Sequence, residues 1–108
     1  MQRCKKYIHL TEEFFRRAIE RKLFKSVELA TKEAINAVKW NGVIQEDYRK
    51  ANKQFCIFRN SLGIIVTLPI VEYDKAFVIT TVFEADEWQK SVFKSSEQKI
   101  KRKGKNDK

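Results

Sequence analysis

The fold turns on Val38-Lys39-Trp40-Asn41-Gly42-Val43-Ile44-Gln45-Glu46, where the helical spacing of apolar residues stops and a β-type composition begins. Upstream, Val27, Ala30, Ala34, Ala37 and Val38 recur three and four residues apart, the spacing of one buried helix face. Ser26 suits the N-cap of that helix, and Gly42 is expected to end it in the left-handed C′ position. Farther back, Phe14, Phe15, Ala18, Ile19 and Leu23 mark an earlier amphipathic helix. Thr11 is its expected N-cap, and Glu12 and Glu13 put negative charge where the helix dipole favours it.

Downstream of Gly42, short stretches rich in Val, Ile, Phe and Thr fit a pleated, half-buried surface. Strands are expected over residues 43–48, 54–59, 62–68 and 75–83, broken at Asn60-Ser61 and at Glu72-Tyr73-Asp74. Connections this short force antiparallel neighbours, hence a meander. A short helix is expected over residues 85–93, and residues 5–9 offer one more edge strand. The expected fold is therefore α+β, with two N-terminal helices on a three- to four-stranded antiparallel sheet and a short C-terminal helix. Two helices cover one face of such a sheet and leave the other for a partner or a working surface.

The 108 residues are enough for one domain, and 43% hydrophobic content is enough for a core. Residues 1–93 are expected to form that domain, with residues 94–108 as a disordered basic tail. The formal charge is +9, from 23 basic and 14 acidic residues, and points to a polyanionic partner, nucleic acid first. The tail holds seven of the basic and two of the acidic residues, leaving +4 for residues 1–93. Cys4 and Cys56 stand far apart, and one histidine cannot complete an ordinary zinc site, so neither a disulfide scaffold nor a structural metal is expected. The longest nearly apolar run, residues 62–71, is about half of the ~20 residues that span a bilayer. No hydrophobic leader opens the sequence, so a cytoplasmic protein with no membrane contact is expected.

Candidate chemistry falls first on His9, the one side chain whose ordinary pKa lies near neutrality. The plainer alternative is a partly exposed histidine at the start of an element. On the first helix Glu12, Glu13, Arg16, Arg17, Glu20 and Arg21 are spaced for ion pairs along a solvated face. Arg17 and Arg21 are alike in charge and four apart, a pairing that an intervening phosphate would relieve. Arg49, Lys50, Lys53 and Arg59 interleave with Tyr48, Phe55 and Phe58, as cations and stacking faces do on nucleic-acid surfaces. Phe55 and Phe58 have opposite strand parity, so at least one of them belongs to the core. Thr80 lies in an apolar strand, where its hydroxyl could meet a phosphate or a ribose. Lys101, Arg102 and Lys103 in the tail are candidates for nonspecific phosphate contacts. The acids Glu46, Asp47, Glu72, Asp74 and Glu84 crowd at expected strand ends, which does not suit a metal nuclease.

An N-terminal histidine is followed by Arg17-Ala18-Ile19-Glu20-Arg21-Lys22-Leu23-Phe24 and Ser26-Val27, then by Gly42-Val43-Ile44-Gln45-Glu46, and finally by Val78-Ile79-Thr80-Thr81-Val82-Phe83. In this order the segments resemble the small RelE-like ribonucleases, particularly the BrnT-type toxins of the barnase/colicin-like superfamily, over roughly residues 7–84. The resemblance implies a metal-independent, cofactor-free endoribonuclease acting on RNA rather than DNA, held inactive by an acidic antitoxin protein. Under it His9 transfers protons, Arg17, Arg21 and Arg59 stabilise charge on the phosphate, and Lys53 adds a contact. The competing expectation is a non-enzymatic nucleic-acid-binding module whose basic tail supplies affinity. A homodimer formed through the open sheet face is a further alternative.

Overall fold

The computed structural model describes residues 6–47 and 49–106, with side-chain surroundings through Gln98. Cys4, Lys5 and Tyr48 lie outside the described residues, as do the side chains of Lys101, Arg102 and Lys103.

The chain opens with strand β1 (Tyr7–Leu10), and Thr11 alone separates it from helix α1 (Glu12–Glu20). The Thr11 hydroxyl accepts from the Phe14 N–H at 3.2 Å, the expected cap. Helix α1 closes with Leu23 N–H donating to the Ala18 carbonyl and Lys22 at φ 54°. That is a Schellman-type end with lysine in the left-handed position that favours glycine. Helix α2 (Val27–Asn36) starts at Ser26, whose hydroxyl accepts from Leu29 N–H, and runs into a π-helical turn over Ala37–Asn41. The Gly42 N–H donates to the Ala37 carbonyl at 2.8 Å and closes that turn.

Gly42 is extended, φ −76°, rather than left-handed as expected. Its missing side chain serves packing instead: a Cβ there would overlap the Cys56 sulfur and lie 2.8 Å from the Ala37 carbonyl oxygen. The turn therefore rests directly on the sheet.

Strands β2 (Val43–Glu46), β3 (Lys53–Arg59), β4 (Ile65–Glu72) and β5 (Ala76–Ile79) form the expected antiparallel meander. Among the described residues the sheet has six strands, ordered β1-β5-β4-β3-β2, with β6 (Phe83–Glu84) also on β4. The meander walks back beneath the helices until β5 lies beside β1, and these two are parallel. The expectation of an all-antiparallel sheet of three or four strands is corrected on both counts. A parallel partner requires a long crossover, and α1, α2 and three strands supply it.

The expected strand 75–83 is broken. Ile79 pairs with Ile70, but Phe83 pairs with Thr67, so one extra residue bulges between β5 and β6 opposite Leu68-Pro69. The Ile65 carbonyl accepts from Ala85 N–H, and Tyr73 N–H donates to the Ala76 carbonyl. By alternation the odd-numbered residues of β4 turn their backbone groups toward β5 and β6. Pro69 is one of them and has no N–H to give, which accounts for a break at that point.

The sheet faces are unequally covered. Beneath α1 and α2 lies the main core, with Phe14, Ala18, Ala30 and Ala34 against Cys56, Phe58, Val66, Leu68, Ile70 and Ile79. On the other face helix α3 (Glu87–Asn106) packs Phe93 with Ile57, Ile65 and Ala85. The helix runs past its expected end at Phe93 and continues through Asn106. Its Lys, Arg, Glu and Gln residues are good helix formers even where they bury nothing, and Glu97 pairs with Arg59 of β3 at 3.1 Å.

Candidate functional site

Helix α3 crosses only one end of its sheet face. By strand alternation the rest of that face carries Tyr7 and His9 from β1, Ala76 and Val78 from β5, Pro69 and Val71 from β4, and Lys53 and Phe55 from β3. Tyr7 is 69% exposed and His9 is exposed, while the others are half-buried. His9, Val78, Val71 and Lys53 are register partners and form one row across four strands. The Tyr7 and His9 rings lie 6.4 Å apart at 29°. The parity question is settled as well: Phe58 is in the core, and Phe55 is on the open face.

At one rim of this face the β2–β3 turn gathers three expected cations. Arg49 is exposed and its N–H donates to the Asp47 carboxylate at 3.0 Å, a bond that holds the Asp47 pKa below the usual carboxylate range. Lys50 and Lys53 line one shallow depression with Glu46, Asp47 and Glu72. The neighbouring Lys50 pushes the Lys53 ammonium below its ordinary pKa, and the charge of Asp47 offsets part of that.

At the opposite rim His9 shares a shallow depression with Thr11, Glu12, Glu13 and Arg16. The one-residue passage from β1 into α1 forces this neighbourhood, because the first turn of the helix must lie next to the strand it leaves. The sequence shows that passage, and Arg16 was the residue missed. Arg16 and Arg17 both bind the Glu13 carboxylate, which lowers its pKa, and hydrogen bonding to Glu13 raises that of Arg16.

The four expected catalytic residues do not converge. Arg17 sits between Glu13 at 2.9 Å and Glu20 at 3.7 Å. Arg21 donates to the Val82 carbonyl at 2.7 Å and to the Thr81 hydroxyl at 3.4 Å. The relief expected from a phosphate is thus supplied by the protein's own carboxylates and by the β5–β6 bulge. Arg59 lies three strands and six residues from His9, on the order of 20 Å away, bound to Glu97 and lying 5.7 Å from the Phe93 ring centre. Thr80 is exposed in the bulge rather than held in a strand.

Among the described residues, no three His, Cys, Asp or Glu side chains group to hold a metal ion, and no helix is long and apolar enough to cross a membrane. No family model, curated protein or solved structure matches the chain.

Proposed function

We propose that the protein binds single-stranded RNA on the open part of its sheet. The observation that carries this reading is the placement of exposed Tyr7 and His9, half-buried Phe55 and the cation Lys53 on one uncovered face. Aromatic and imidazole rings offer planes for unstacked bases, and the Lys50/Lys53 rim offers phosphate contacts. Five of the eight residues from Lys99 to Asn106 are basic, so the far half of α3 adds sequence-independent attraction that weakens with salt. An acidic partner protein would compete for the same cations.

A second reading, endoribonuclease activity of the RelE/BrnT-like type, is favoured by His9 at the rim beside two carboxylates and Arg16. Cleavage needs a base for the ribose 2′-proton, a cation for charge developing on the phosphate and an acid for the leaving oxygen. His9 with Glu12 and Arg16 supplies all three group types in one depression. Arg17, Arg21 and Arg59 are not assigned to the reaction, because none of them lines that depression.

Fluorescence-anisotropy titration with a labelled single-stranded oligoribonucleotide in EDTA tests both readings. Binding is expected to fall at least several-fold in Lys53→Gln and in Phe55→Ser, and to exceed that of the same DNA sequence. Equal binding by both variants and wild type would overturn the open-face reading. Cleavage products that vanish in His9→Ala while binding persists would establish the enzymatic reading, and intact RNA throughout would remove it.

A further inference from the structure

Strand β2 closes one side of the sheet, and among the described residues nothing pairs with its outer edge. Asp47 N–H donates to the Lys53 carbonyl at 3.1 Å, which puts the bonded pairs of the β2–β3 ladder at the odd-numbered residues of β2. The backbone N–H and C=O of Ile44 and Glu46 therefore point outward, away from β3. Between them stands Gln45, whose side-chain carbonyl oxygen is buried and accepts no hydrogen bond, alone in this among the described residues. The terminal torsion of a glutamine is soft, so little energy is needed to turn that amide toward the free edge. Two apolar side chains at the same end of the molecule are exposed, Ile44 at 39% and Trp40 at 47%.

We propose that β2 pairs antiparallel with β2 of a second copy of this chain, about a two-fold axis at Gln45. In that register Ile44 of each copy exchanges its backbone hydrogen bonds with Glu46 of the other. The two Gln45 residues face each other as the non-bonded pair, where side chains come closest. Each Gln45 amide then donates to the carbonyl oxygen that the other copy leaves unpaired. A register centred on Ile44 is disfavoured by the fold, because it sets Glu46 against Gly42, whose N–H is already given to the Ala37 carbonyl at 2.8 Å. Charge fits the register centred on Gln45. It carries Arg49, whose side chain is 86% exposed, toward Asn41 of the other copy. There a cavity of about 480 Å³ opens between α2, the β3–β4 turn and α3, lined by Asn41 and by two carboxylates, Glu33 and Glu97, against one guanidinium, Arg59. That local balance is negative in a chain of formal charge +9, so its field favours a further cation. The contact is isologous and places both open faces on one side of a continuous sheet. So short a ladder buries less than the ~1,600 Å² of a standard interface, which predicts a weak dimer with Kd on the order of 10–100 µM.

Sedimentation velocity on the full chain from about 5 to 500 µM, in about 0.3 M salt to screen the charge of two copies, reads the equilibrium. A monomer–dimer transition is expected in that range, about tenfold weaker in Gln45→Ala. Ile44→Pro removes an outward N–H and no bond to β3, so it should keep the circular-dichroism spectrum and abolish the dimer. Air oxidation in a Cys4→Ser background reads the register. Gln45→Cys should give a disulfide-linked dimer, since the two copies of that position face each other at about 4.5 Å between Cα atoms. Glu46→Cys should not, since its two copies lie on a diagonal about 7–8 Å apart. A monomer throughout, or a dimer indifferent to Ile44→Pro, would overturn the proposal. So would a Glu46→Cys disulfide that forms as fast as that of Gln45→Cys.

Discussion

Replacing Gln89 by leucine should unseat the start of α3, because one buried oxygen there holds two elements at once. The Gln89 side-chain carbonyl accepts from the Thr67 hydroxyl and from the Asp86 N–H, each at 3.0 Å. The Gln89 N–H donates in turn to the Asp86 carboxylate at 2.7 Å, a reciprocal capping arrangement. Thr67 is fully buried and Gln89 is 5% exposed, so water cannot replace the lost partner. Stranding a buried hydroxyl costs about 1–3 kcal/mol, and losing one arm of a cap about 0.5–2 kcal/mol. The leucine offsets part of this by its own burial, which leaves a loss of about 2–3 kcal/mol. Adding Thr67→Val removes the orphaned hydroxyl without changing shape, so the double variant should recover at least about 1 kcal/mol over Gln89→Leu alone. Urea unfolding followed by circular dichroism reads both numbers. A Gln89→Leu effect below about 0.5 kcal/mol, or additive effects in the double variant, would refute the coupling.

Asn60 should prove as costly to remove, since its buried side chain donates to the Leu23 carbonyl at 2.6 Å and accepts from Leu62 and Ile64 N–H. Asn60→Ala is expected to lower stability by about 2–4 kcal/mol in urea unfolding. Lys22→Gly should raise it by about 1 kcal/mol, because lysine occupies a left-handed position at the end of α1. Lys50→Gln removes the like charge that holds down the Lys53 pKa, so the Lys53 pKa should move up toward the ordinary lysine value in an NMR titration. By linkage, a depressed lysine pKa makes stability rise with pH as the unfolded chain binds the extra proton; that small alkaline rise should diminish in Lys50→Gln.

Local chemistry was the part of this fold that the sequence made legible. Thr11 and Ser26 cap their helices as expected, since a capping hydroxyl needs only the N–H three residues on. The meander was legible for a similar reason: short polar breaks leave only antiparallel pairing. Non-local consequences were not. Nothing near Tyr7 announces that it runs parallel to Ala76, because that pairing is decided by how far the meander travels. Pro69 stood in plain view, yet its effect falls on Thr80–Val82, through a hydrogen bond the proline cannot make. The placement of the candidate residues divides in the same way. Lys50 and Lys53 share one rim because hairpin proximity is local, whereas only the position of α3 decides that Arg59 meets Glu97 and Phe93. The basic segment after Lys94 offers no core residue except Ile100 in its sequence, and backbone propensity and the Arg59–Glu97 contact support its helical continuation.

The most direct measurement is a two-dimensional amide NMR titration of the full chain with a short single-stranded oligoribonucleotide at moderate salt. Saturable shifts running across His9, Val78, Val71, Lys53 and Phe55 are predicted, since these residues share the uncovered sheet face. Shifts confined to residues 94–106, with that row unmoved, would show that the helix alone attracts RNA and that the sheet is not the binding surface.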